Sequence, residues 1–337
     1  MSTSHALLPV VVTTISSTLA SLRTPPAAPS STSDEPRPTT STIRSDLVSI
    51  LSLVSQQTTN LTLALKPPAD ETAAFATLDK VRELVTKLRF LAELLSATGV
   101  EEQGELARRL RWSLIESLES LSSFLSTAQP FLPSPTTENP TSTPNRNHLL
   151  SSHKTLWQVV DKIKSELPET ELAAVRTSWQ DTINLLQDCE QELHDLSLEA
   201  QDEEEEGPAQ EVVQGCATLL KLSRGLVKRL LTLTATPPLA TTPTRAERLP
   251  RQFDEVEWLA SLTRLVKQLS EKADDLAVEV DEVERDLVEQ LNRVGDEIVE
   301  MLRTAFEDRS DTQLEQWFDL WRVQRDKAFD QIVAGLV

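Results

Sequence analysis

The sequence predicts an all-α protein, built as up-and-down helical bundles of about nine helices in two packed bundles. Three observations carry that expectation. Glycine is scarce, with 7 in 337 residues, and tyrosine is absent. Leu, Val, Ala, Glu, Gln and Arg fill the long uninterrupted stretches, a choice that favours helix and withholds the alternating aromatic and β-branched residues of strands. Apolar residues recur at steps of three and four, and the long stretches are separated by proline-rich breaks.

Leu7, Val11, Ile15, Leu19 and Leu22 share one face of a short helix. The segment "TPPAAPSSTSDEPRPTTST" that follows reads as a disordered Pro/Ser/Thr-rich linker, so residues 1–42 form a helix plus linker. An N-terminal helical bundle is expected over 43–128. Its first helix carries Ile43, Leu47, Ile50, Val54, Leu61 and Leu65 and stops at Pro67 and Pro68. Asp70 is placed to cap the second, which carries Leu78, Val81, Val85, Leu88 and Leu95 and closes at Gly99. The third returns with Leu106, Leu110, Leu114, Leu118, Leu121 and Leu125, antiparallel because the loop is short. Residues 129–147, "QPFLPSPTTENPTSTPNRN", are a second Pro/Thr-rich linker.

An acidic C-terminal helical bundle is expected over 148–337. Leu172, Val175, Trp179, Thr182, Leu186, Cys189, Leu193 and Leu196 run at steps 3-4-3-4-3-4-3, and Leu259, Leu262, Val266, Leu269, Ala273, Leu276 and Val280 do the same. Such a seam is buried only by lying along other helices. Between the two seams lies a helix marked by Val212, Cys216, Leu219, Leu226, Leu230 and Leu233. Val283, Leu287, Leu291, Val294, Ile298, Met301 and Leu302 mark the next, and Leu314, Trp317, Phe318, Trp321, Phe329 and Ile332 the last.

The formal charge of −20 is uneven: residues 1–147 hold 12 basic and 14 acidic side chains, and 148–337 hold 21 and 39. A surface of that sign repels phosphates, so direct nucleic-acid binding and attachment to an anionic membrane are not expected, while a basic partner is attracted. High charge also serves solubility alone. No run approaches the roughly 20 apolar residues of a membrane span. Without a basic region ahead of Arg23, the N-terminus does not read as a secretory signal. Cys189 and Cys216 each sit in an apolar stripe, as reduced residues of an intracellular protein would.

The residues of catalysis do not assemble in the sequence. His5, His148, His153 and His194 fall in the terminus, a linker edge or polar helix faces, where solvent exposure is expected. The residues three before His148, His153 and His194 are Asn145, Leu150 and Gln191, so the Glu-x-x-His pair of di-iron bundles does not occur. With neither a glycine loop for phosphate nor a calcium-loop pattern, no enzyme activity, cofactor or metal is expected. The run Asp202 to Glu206 lacks the alternation of a calcium loop and precedes Gly207 and Pro208, so it reads as a solvated joint between helices. Two Arg-x-Leu patterns of the kind cyclins dock onto, in "ARRLRW" and "RGLVKRLL", place Leu110 and Leu231 in the core by their helical register. Five Ser/Thr-Pro dipeptides, at Thr24, Ser134, Thr143, Thr236 and Thr242, are candidate proline-directed phosphorylation sites.

The order "LWQVVDKIKSELPETELAAVRTSWQDTINLLQDCEQELHDL", an acidic spacer, "VVQGCATLLKLSRGLVKRLL" and "WLASLTRLVKQLSEKADDLAVEV" resembles the cyclin-D-binding protein family, GCIP. "LVSQQTTNLTLAL" is similar to that family's first long helix. The resemblance covers most of 43–305 and is strongest from 156 to 278; the family's proline turn after "DDLA" is replaced here by "VEVDEVERDL". It implies a non-enzymatic interaction module that binds a cyclin or helix-loop-helix regulator, restrains cell-cycle progression and transcription, and occupies nucleus and cytoplasm. Its mechanism would be occupancy, through a helix face or the acidic surface of the C-terminal half, with Trp317 or Trp321 as anchors if exposed, core burial being the expected fate of both. A cytoskeletal or adhesion-type helical scaffold is the alternative reading of the same composition.

Overall fold

The computed structural model describes residues 7–24, 38–96, 104–132, 145–202, 210–235, 252, 255–278, 283–307 and 312–335. Ten α-helices run through them: α1 (Leu7–Arg23), α2 (Thr40–Ala64), α3 (Glu71–Ser96), α4 (Glu105–Ala128), α5 (Arg146–Glu166), α6 (Glu171–Asp202), α7 (Gln210–Leu233), α8 (Val256–Val278), α9 (Arg285–Phe306) and α10 (Thr312–Gly335). Among the described residues there is no strand. The tenth helix beyond the nine expected is α5, whose buried Leu149, Leu156, Val160 and Ile163 form a sparser stripe than its neighbours carry.

Two compact units divide the chain, Met1–Thr170 and Glu171–Val337. The expected division at 147/148 is therefore displaced: α5 packs on α4 and α2 and belongs to the first unit, and α1, set apart in the sequence reading, packs on α3 and α4. The long segment before α5 drew the expected boundary, but the buried face of α5 matches helices upstream of it. Glu171–Val337 retains the acidic imbalance, with 36 acidic and 18 basic residues.

In the first unit α2 and α3 pair along their length. The Thr39 hydroxyl caps α2 by accepting from Thr42 N at 3.2 Å, and Asp70 caps α3 by accepting from Ala73 N at 2.9 Å, as its position predicts. Gly99 lies outside the described residues. The α4 stripe from Leu106 to Leu125 is buried throughout, including Leu110 of the first Arg-x-Leu pattern. Truncating any of these leucines to alanine costs about 2–5 kcal/mol. Arg44 ties the start of α2 to the end of α5, its guanidinium donating to the Leu167 and Pro168 carbonyls at 3.0 and 2.7 Å.

The second unit packs its helices in adjacent pairs, α6 with α7 and α8, α8 with α9, and α10 with α7 and α9, around one core. The heptad seam of α6 holds except at two places. Ile183 is buried where the strict repeat points to Thr182, and Leu196 is exposed, because an α-helix drifts from an exact seven-residue period. The α8 seam is buried from Leu259 to Leu276, and Val280 lies outside the described residues. Val283 and Glu284 ahead of α9 are non-helical, and no proline lies between α8 and α9 in the sequence. Arg224 of α7 and Glu190 of α6 form a two-point ion pair at 2.7 and 2.8 Å, four-fifths withdrawn from solvent.

Candidate docking surface

Helices α2 and α3 present, beside their core stripes, a second set of side chains at helical spacing. Asp46, Ile50 and Leu53 on α2 and Lys87, Phe90, Leu91 and Leu94 on α3 line, with Pro38, a groove of about 740 Å³. Buried Ile50 and Leu91 form its floor. Its walls are open: Leu53 is 43% and Phe90 58% exposed. From Asp46 to Leu53 the lining spans two turns, about 10 Å of helix axis. Exposed Asp46 and Lys87 put an acid and a base beside its apolar walls.

A second outward aromatic is Trp112 of α4, 72% exposed, standing between two clefts. One is shared with Arg23, Arg111, Ile115 and Glu119, the other with Arg109, Lys162 and Pro168. Beside it, buried Glu105 pairs with Arg108 and Arg109; burial holds its carboxyl above the usual carboxylate range against the opposing pull of the two guanidinium groups. An exposed tryptophan flanked by arginines has the composition of interface hot spots.

Neither aromatic was among the anchors expected from the sequence, and both follow a readable signal. Phe90 stands two residues after core Leu88, and Trp112 two after core Leu110, a rotation of about 200° that puts each opposite its core stripe. Both candidate anchors turn inward, the core position expected of them. Trp321 is buried with its indole N–H donating to the Leu222 carbonyl at 3.0 Å, and half-buried Trp317 packs edge-on to Phe318 beneath Arg229. The outward apolar side chains of the last helix are Leu320 and Val323.

Of the histidines, His148 and His194 are exposed as expected and His5 lies outside the described residues. His153 departs from expectation. It is half-buried between Phe124 and Trp157, with Nε2 3.4 Å from the Thr59 hydroxyl, and burial lowers its pKa. Among the described residues no group of three His, Cys, Asp or Glu side chains could hold a metal ion, and no helix is long and apolar enough to cross a membrane. Both cysteines are free and buried; desolvation pushes Cys189 up to about 11, helped by the Asp274 carboxylate, and Cys216 to about 12. Leu231 of the second Arg-x-Leu pattern packs against the core while only partly buried. The acidic run from Glu203 onward, with Ser134, Thr143, Thr236 and Thr242, lies outside the described residues.

Residues 46–199, just under half of the chain, match the family model described as Grap2 and cyclin-D-interacting, N-terminal. The matching family is the cyclin-D-interacting one. The GCIP-matched span runs from α2 into α6 and contains the α2/α3 groove apart from Pro38, as well as Trp112 and His153. It ends at residue 199, so the likeness read over 200–305 rests on sequence motifs alone. A search of the curated proteins finds no match to the chain.

Proposed function

We propose that the chain is a non-enzymatic interaction module that restrains cell-cycle progression and transcription by occupying a cyclin or helix-loop-helix regulator in nucleus and cytoplasm. The observation that carries the proposal is the coincidence of the open α2/α3 groove with the GCIP-matched span. On this reading an amphipathic helix of the regulator lays its apolar face between Leu53 and Phe90 and is then withheld from its other contacts. The rim residues Asp46 and Lys87 fix its direction through charge.

The test is a binding titration of the full chain with a purified D-type cyclin and, separately, with a helix-loop-helix regulator. Leu53→Asp and Phe90→Asp leave the core stripe intact and are expected to weaken the complex at least about 30-fold, the loss of one central hot spot. Binding unchanged in both variants, with circular dichroism also unchanged, would remove the groove from the mechanism. Retention of actin or a junction protein and of neither regulator would replace the reading with the scaffold alternative.

A further inference from the structure

We infer that Thr24 is a phosphoacceptor for a proline-directed kinase, and that the fold holds a receptor for its phosphate in Arg111 and Arg23. Thr24 is exposed at the end of α1 and is followed by Pro25. A proline disfavours the helical conformation in the residue before it, which explains why α1 stops at Arg23 and leaves Thr24 at the helix boundary.

The surroundings of Thr24 are already arranged around a C-terminal partial charge. The Thr24 hydroxyl donates to the Ala20 carbonyl at 2.8 Å. Arg111 of α4 reaches across to the same turn: Nε donates to the Leu22 carbonyl at 2.7 Å, and Nη2 to the carbonyls of Leu22 and of Thr24, the latter at 2.8 Å. Its remaining Nη1 has no protein partner among the described residues. Arg23 pairs with Glu119 of α4 over the same cleft.

Phosphate at a helix C-terminus is ordinarily disfavoured, because it meets the negative end of the dipole and unpaired carbonyls. Here a guanidinium is fixed within hydrogen-bond reach of the Thr24 backbone, and a second belongs to the adjacent residue. In the modification the Thr24 hydroxyl oxygen attacks the γ-phosphorus of ATP, ADP leaves, and the hydroxyl proton passes to the kinase's base. The new dianion displaces neutral carbonyls and the Glu119 carboxylate as the stronger acceptor for Arg111 and Arg23. The linkage between α1 and α4 then runs through the phosphate.

The experiment treats the full chain, and a synthetic peptide spanning residues 18–30, with a purified proline-directed kinase and ATP. Sites are mapped by mass spectrometry, and the phosphate is titrated by ³¹P NMR. Thr24 in the folded chain is expected to be modified within about tenfold of the peptide rate. Its second phosphate ionisation is expected about half a pH unit or more below the peptide's, because the arginines favour the dianion. Arg111→Gln and Arg23→Gln should each move it back toward the peptide value. The inference falls if the peptide is modified and the chain is not, if neither is modified, or if the ionisation equals the peptide's and ignores both substitutions.

Discussion

Trp321 of α10 packs directly over Gly295 of α9. A Cβ at that position would lie 2.7 Å from Cη2 and 3.3 Å from Cζ2 of Trp321, against the 3.5–4.0 Å at which carbon atoms rest. The indole has little room to withdraw: it is 5% exposed, its N–H is bonded to the Leu222 carbonyl of α7, and the Arg325 guanidinium stands 5.2 Å over its ring. Gly295→Ala therefore has to part α9 from α10 or turn the ring off its hydrogen bond. Overpacking of this kind costs about 1–3 kcal/mol, and weakening the hydrogen bond adds up to about 1 kcal/mol. Against that, alanine is about 0.8–1.0 kcal/mol better than glycine inside a helix. The net expectation is a loss of between about 0 and 3 kcal/mol. Gly225 of α7 supplies the control, since a Cβ there meets nothing within 4 Å, and Gly225→Ala is expected to gain about 0.8–1 kcal/mol by propensity alone. Urea denaturation of the full chain, followed by circular dichroism and by tryptophan fluorescence, measures both in the transition that carries the second unit. Adding Trp321→Phe shortens the ring and should recover at least about 1 kcal/mol of the Gly295→Ala loss. A Gly295→Ala chain stabilised as much as Gly225→Ala, or strict additivity with Trp321→Phe, would refute the close packing of α9 on α10.

The buried thiols give a pH dependence at the alkaline end. Their folded values near 11 and 12 lie above the 9.0 of an exposed thiol, so the stability they contribute is complete below pH 9 and is lost as pH rises toward 11. The expected slope is about 1.4 kcal/mol per pH unit for each cysteine, and it should flatten in Cys189→Ala/Cys216→Ala. At pH 8 neither thiol of the folded chain should react with a disulfide reagent, and both should react once urea unfolds it. For His153 the direction is opposite: its pKa is lowered by burial, so its contribution is present above the unfolded value and is lost as pH falls below about 6.5. His153→Gln should therefore reduce the acid sensitivity of unfolding. Glu190→Gln removes one charge of the α6–α7 pair and strands Arg224, with an expected loss of about 1–3 kcal/mol. The Glu190→Gln/Arg224→Gln double variant should lose less than the two single losses together, as measured by urea midpoints.

The linear chain determined its helices because a helix is a local object. Steps of three and four, the Asp70 cap and the Pro67–Pro68 stop are all written within a few residues of where they act, and the stripes of α1 to α4 are buried as their spacing requires. The long-range decisions could not be read that way. Whether α5 joins the helices before or after it depends on which distant stripe its own fits, and the Pro/Thr-rich segment upstream of it carries no information on that choice. The same holds for the aromatics: Trp321 is core because Gly295 on another helix makes space for its ring, while Phe90 is open because nothing among the described residues covers the α2/α3 face. Periodicity gives each side chain a direction around its own helix axis. Only packing decides what lies in that direction, and so which apolar faces are sealed and which remain for a partner.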